Sequence, residues 1–135
     1  MKILASAFAL LFFISCNNAN NNRPLTAIDT GREFIRASLN GDFNSAENLI
    51  LKDTQNVQLF ESYKHFYNKL PAEKKDYYRK ASYKINKYVD ADDSTTLINY
   101  SNSYMKKPMD IKIVRNHNVW AVDFKYTYSG NQPVE

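Results

Sequence analysis

The chain has 135 residues, with 18 lysines and arginines against 14 aspartates and glutamates, a formal net charge of +4 and 14% aromatic side chains. That length bounds it to one small domain, whose apolar and aromatic content is enough to fill a single core without crosslink or cofactor. Its lysines are scattered from Lys52 to Lys125 among many acids, so the positive balance reads as a solvated surface and argues against a phosphate-tracking nucleic-acid groove.

Met1 and Lys2 precede an apolar run, Ile3 to Ile14, of 12 residues. It is shorter than the roughly 20 residues that cross a bilayer, and with the small Ser15 after it the pattern is that of a signal peptide. Phe13-Ile14-Ser15-Cys16 resembles the lipobox of bacterial lipoproteins, in which the cysteine is acylated through its sulfur and becomes the first mature residue. Cys16 is the only cysteine, so an intramolecular disulfide cannot account for it, whereas acylation does. Each buried methylene contributes about 0.8 kcal/mol to attachment, so two or more acyl chains hold a protein almost permanently. The expected organisation is a signal peptide over 1–15, a lipid-anchored polar tether over 16–24 containing the Asn17 to Asn22 tract, a domain over 25–130 and a tail over 131–135. In such lipoproteins an acidic run after the cysteine is associated with surface display. The neutral run here implies an outer-membrane location facing the periplasm.

Helical periodicity fills the first half of the domain and strand alternation the second, which predicts the α+β class. Thr26 or Asp29 caps a first helix through Phe34, Ile35 and Leu39 that ends at Asn40-Gly41, because glycine accepts the left-handed closing conformation. Asp42 or Asn44 caps a short second helix through Ala46, Leu49 and Ile50. Leu59, Phe60, Tyr63, Phe66, Tyr67 and Leu70 mark a third helix with large rings on one face. Pro71 interrupts it and starts a short continuation over Ala72 to Arg79. From Ser82 the period falls to two: Tyr83, Ile85, Lys87 and Val89 alternate, Asp90 to Asp93 turn, and Thr95 to Tyr100 return. Met109 to Val114 and Val119 to Tyr128 form a second hairpin through Arg115 to Asn118, with asparagines suited to positive φ. In the last strand Trp120, Val122, Phe124, Tyr126 and Tyr128 share one face, opposite Asp123 and Lys125. The prediction is N-terminal helices packed on a curved four-stranded antiparallel sheet.

Few residues offer chemistry. His65 reads as an exposed helical residue, His117 as a turn residue, and Asp123 as an exposed residue on the polar face of the last strand. No nucleophile, base and orienter assemble, and no His or Cys cluster has zinc spacing, so no catalytic residue, metal or cofactor is expected. Asp90, Asp92 and Asp93 lack the glycine and terminal glutamate of a calcium loop. The tyrosines combine broad apolar faces with hydroxyls that need partners. Tyr63, Tyr67, Trp120, Phe124 and Tyr126 are the candidate pocket-lining residues, set against the plainer reading of Tyr63, Tyr67 and Tyr126 as core residues with hydroxyls at the rim.

Ala27 to Ile50, with Phe34 to Phe43 and then Ala46, resembles the opening of small envelope lipoproteins of the nuclear transport factor 2-like superfamily. Val114 to Phe124, with Trp120 to Phe124 after a turn, is similar to the final hairpin of that group, often described as a lumazine-binding-like domain of unknown function. The resemblance spans residues 26 to 128 and implies a cone-shaped fold with a concave sheet, in which some members bind small molecules, some are enzymes and many have no known activity. The anchor, the tether and the absence of a catalytic set point to a non-enzymatic lipoprotein that binds a protein partner or a small apolar ligand at the membrane surface. The alternative is an isomerase- or hydratase-like enzyme with its pocket between the third helix and the sheet. Self-association as a homodimer through the outer face of the sheet stays open.

Overall fold

The computed structural model describes residues 22–130. The expected signal peptide, Cys16, most of the tether and the tail over 131–135 lie outside the described residues.

The starts of the first three helices are each set by a capping side chain. Helix α1 (Ala27–Asn40) begins where Thr26 Oγ1 accepts from the Asp29 N–H at 3.2 Å and donates to Asp29 Oδ2 at 2.7 Å. It ends at Gly41, whose φ of 72° lets the next amides close on the carbonyls of Ala37 and Ser38. Asp42, not Asn44, caps α2 (Phe43–Leu49) by accepting from the Ser45 N–H and hydroxyl. Asp53 caps α3 (Thr54–Asn68) in the same way, accepting from the Asn56 amide. On α3 Phe60 and Tyr67 are buried, but Phe66 is 59% exposed, a correction to the expected stripe. At about 100° per residue Phe66 lies roughly 240° round the helix from Phe60, facing solvent. After Pro71 comes α4 (Ala72–Lys80), none of whose residues is buried.

The strands β1 (Tyr83–Asp92), β2 (Thr95–Asn102), β3 (Pro108–Asn116) and β4 (Val119–Val122) form a four-stranded antiparallel sheet in sequence order. Ile98 opposes Ile111, and Ile113 opposes Val122. All of these are fully buried against Phe34 and Ile35 of α1. The approach is so close that a β-carbon at Gly31 would collide with Ile98 Cδ1. His117 and Asn118 take φ of 48° and 60° in the β3–β4 turn, as a tight hairpin requires. The order of helices before an antiparallel sheet agrees with the α+β expectation.

Two elements depart from it. A bulge between Ile85 and Lys87 shifts the phase of β1, so Tyr88, opposite Ile98, joins the face of Ile85, while Lys87 and Val89 turn outward. The strand also continues to Asp92, moving the turn to Asp93 and Ser94.

The last strand stops at Val122, and the chain turns into a helix, α5 (Phe124–Gly130). Asp123 makes the last ladder bond, its N–H donating to the Lys112 carbonyl at 2.9 Å. The Lys125 N–H then donates to the side-chain oxygen of the fully buried Asn56 at 2.7 Å, tying the start of α5 to α3. Phe124 and Tyr128 stand four apart, so a helix keeps them neighbours, with ring centroids 5.7 Å apart. The same change turns Tyr126 outward, 39% exposed, with Lys112 Nζ 5.6 Å from its ring. Leu51, between α2 and α3, donates to the Val122 carbonyl at 2.9 Å and covers the edge of β4.

Candidate functional site: a tyrosine array

Helix α1 lies against the sheet, whereas α3 and α4 stand off from it and reach it through side chains. Tyrosines fill that interval. Tyr63 and Tyr67 come from α3 and Tyr78 from α4. Tyr100 comes from the inner face of β2, opposite Ile85 on one side and Met109 on the other. Tyr104 comes from the turn after β2. With Phe43 and Phe124, the rings of Tyr104, Tyr78, Tyr67 and Tyr63 form a continuous array: Tyr104 to Tyr78 at 4.8 Å, Tyr78 to Tyr67 at 6.1 Å, Tyr67 to Phe43 at 4.9 Å, Phe43 to Tyr63 at 5.6 Å and Tyr63 to Phe124 at 5.7 Å between centroids. The Phe43 and Tyr104 contacts are edge-to-face, the arrangement that ring quadrupoles favour.

The hydroxyl ends set the electrostatics. Burial pushes the phenols of Tyr63 and Tyr100 far above their ordinary value, and nearby Tyr100, Tyr78 and Tyr67 push Tyr63 further, as Tyr78 does Tyr100. Burial also raises Tyr78 and Tyr67, against an opposing influence of Arg79 on Tyr67. Among the described residues neither the Tyr63 nor the Tyr100 hydroxyl has a hydrogen-bond partner, whereas the exposed Tyr77 hydroxyl donates to Glu73. The sealed, unpartnered polar atoms, such as Ser38 Oγ, do not include these hydroxyls, so Tyr63 and Tyr100 border solvent-accessible space at depth. Charges stay at the perimeter, with Lys75 Nζ 5.7 Å from the Tyr67 ring and Lys64 ion-paired to Glu47 and Glu61. Phenols that remain protonated donate and accept hydrogen bonds but do not serve as bases near neutral pH.

Of the residues singled out by sequence, the ring array brings together Tyr63, Tyr67 and the buried Phe124. Trp120 stands apart, under Arg115 at 5.9 Å, on a cleft of about 450 Å³ shared with Leu25, Ile28, Tyr88, Asp90, Asp92 and Asp93. Tyr126 points outward and takes no part. Tyr78, Tyr100 and Tyr104 were not singled out, although Tyr100 shares the parity of the buried Ile98. A second cleft of about 460 Å³ lies between α1 and α2, lined by Arg23, Glu33, Ser45, Asn48 and Lys52 among others.

His65 is exposed, and His117 occupies its turn. Asp123 corrects its expectation: its side chain is only 13% exposed and pairs with Lys112 at 3.6 Å. Asp90 accepts from the Thr96 hydroxyl at 2.6 Å and Asp92 from Ser94, bonds that shape the hairpin end. Among the described residues no group of three or more His, Cys, Asp or Glu side chains is placed to hold a metal ion, and no helix is long and apolar enough to cross a membrane. No family model matches the chain, and no curated protein or solved structure matches it.

Proposed function

We propose that this chain is a lipid-anchored protein of the cell envelope, on the periplasmic side of the outer membrane, whose nuclear transport factor 2-like domain binds a small molecule without transforming it. The observation offered for the binding part is the array of tyrosine rings between α3, α4 and the sheet, with the hydroxyls of Tyr63 and Tyr100 bordering solvent. Acid–base catalysis by these tyrosines is disfavoured because their phenols are pushed away from neutral pH, so they hold protons rather than move them. The anchor rests on the lipobox resemblance at Cys16, and the kinship on the segments around Phe34 to Phe43 and Trp120 to Phe124.

The test uses the full chain expressed in a Gram-negative host. Metabolic labelling with an alkyne-tagged fatty acid should mark the wild type and not Cys16→Ala, and only the wild type should sediment with membranes. An unlabelled, soluble wild type refutes the anchor. Native mass spectrometry of the detergent-released protein should show a mass beyond polypeptide and acyl chains. A mass fully accounted for by those two speaks against a resident ligand.

A further inference from the structure

We infer that the cleft between the start of α1 and the hairpin ends of the sheet is a second binding site, and that it takes an organic ammonium ion carried on an apolar body. It shares no lining residue with the tyrosine array.

The topology builds this cleft. The β1–β2 and β3–β4 turns lie at the same end of the sheet, since Asp92 pairs with Thr95, Thr95 with Val114, and Val114 with Ala121, the neighbour of Trp120. The bulge after Ile85 places Tyr88 opposite Ile98, on the face that meets α1 at Gly31. Leu25, Ala27 and Ile28 approach from the helix side, and the space between is about 450 Å³, within the range of small-molecule sites. Apolar surface stands uncovered there: Leu25 is 91% exposed and Tyr88 55%. An occupant with an apolar body takes that surface out of water.

Charge sets the sign of the occupant. Asp90, Asp92 and Asp93 line the cleft, and no lysine or arginine does. Among the described residues none of the three aspartates takes part in an ion pair. Asp90 accepts from the buried Thr96 hydroxyl and Asp92 from Ser94, bonds that fix both carboxylates, whereas Asp93 makes no hydrogen bond within the described chain. The Ser94 N–H and hydroxyl also hold Asp92 below the usual carboxylate range, so it is charged at neutral pH. The two arginines at Trp120 are committed elsewhere: Arg115 donates to Asn118 Oδ1 at 3.1 Å, and Arg23 to the Trp120 carbonyl at 3.4 Å. An anion is repelled here, and a neutral molecule leaves the carboxylates unpaired. An ammonium is drawn by the three charges and by the ring faces of Tyr88 and Trp120, and Arg115 already rests over Trp120 in this way, 5.9 Å from its ring. A bare metal ion fits less well, because among the described residues these carboxylates do not converge as ligands.

Trp120 is the only tryptophan and lines the cleft, so it reports occupancy directly. The full lipidated chain in nanodiscs of zwitterionic lipid is titrated with 2-phenylethylammonium, 2-phenylethanol and phenylacetate. Trp120 emission and its indole N–H signal are followed, and empty nanodiscs subtract partition into lipid. The ammonium should give a saturable change and bind about three- to thirtyfold more tightly than the alcohol, the worth of an exposed ion pair together with a cation–π contact, with phenylacetate weakest. Asp93→Asn breaks no bond in the described chain, and circular dichroism checks its fold. It should weaken the ammonium about 1.5- to fivefold and leave the alcohol unchanged. Glu33→Gln removes an equal charge outside the cleft and should change neither. Trp120 signals unmoved by the ammonium overturn the site, and alcohol or phenylacetate binding as tight as the ammonium's overturns the ligand class. Equal losses in Glu33→Gln and Asp93→Asn mean attraction to the chain as a whole, which also overturns the site.

Discussion

Asn56 offers the sharpest test of how the fold is held. Its side chain is fully buried; Nδ2 donates to Asp53 Oδ2 at 2.7 Å, and Oδ1 accepts from the Lys125 N–H at 2.7 Å across 69 residues of sequence. Asn56→Ala leaves the Lys125 N–H, in the first turn of α5, without its acceptor and removes a donor from the Asp53 cap. An orphaned buried donor costs about 1–3 kcal/mol and the weakened cap about 1 kcal/mol. The better helix propensity of alanine returns about 0.5 kcal/mol. The net expectation is a loss of about 1.5–3.5 kcal/mol, against about 0.5 kcal/mol or less for the exposed control Gln58→Ala. Urea unfolding followed by circular dichroism and Trp120 fluorescence gives the stabilities. Hydrogen exchange at the Lys125 amide reports whether α5 comes loose, and it should speed up selectively in the variant. A loss below about 1 kcal/mol with unchanged protection at Lys125 would refute the claim that this side chain holds α5 in place.

Three further outcomes follow from the same structure. Gly41→Ala should cost about 1–2 kcal/mol in urea, because φ there is 72° and the new β-carbon would sit 2.9 Å from the Tyr67 hydroxyl; a neutral result would show that α1 does not need its left-handed closure. In a spectrophotometric alkaline titration Tyr63 and Tyr100 should ionise last and only as the chain unfolds: their folded pKa values are raised, so stability falls once pH passes the unfolded value near 10. Loss of that late phase in Tyr63→Phe/Tyr100→Phe checks the assignment, and its persistence contradicts it. At the acid end the caps Asp42 and Asp53 sit below their ordinary values, Asp42 through the Ser45 hydroxyl and N–H and Asp53 through the Asn56 N–H and amide. Their stabilisation is complete above the unfolded pKa near 4 and is lost as pH falls through the depressed values, so the urea midpoint should drop below pH 4; a midpoint that rises on acidification contradicts the caps.

What could be read from sequence divides along the range of the deciding interaction. Thr26, Gly41, Asp42 and Pro71 act within one helical turn, and the helix boundaries they imply are close to those observed. The bulge at Ile85 is different: the two-residue period ran on through Lys87 and Val89, and only pairing with Asn99 and Tyr100 shows that the phase has slipped. The run from Trp120 to Tyr128 satisfied strand alternation, yet Phe124 and Tyr128 also satisfy a four-residue helical spacing. The contact that decides between them comes from Asn56, far away in sequence.

The candidate site inherits this division. Tyr63 and Tyr67 were legible as an α3 stripe, but the expected grouping with Trp120 and Tyr126 assumed one unbroken strand. Once the strand ends at Val122, Trp120 stays at the far end of the sheet and Tyr126 turns to Lys112, while Phe124 swings inward to 5.7 Å from Tyr63. The break in β4 therefore also completes the ring array. Asn56 ties α5 to α3, the helix that carries Tyr63, so loosening α5 should part the Tyr63 and Phe124 rings before the sheet itself melts.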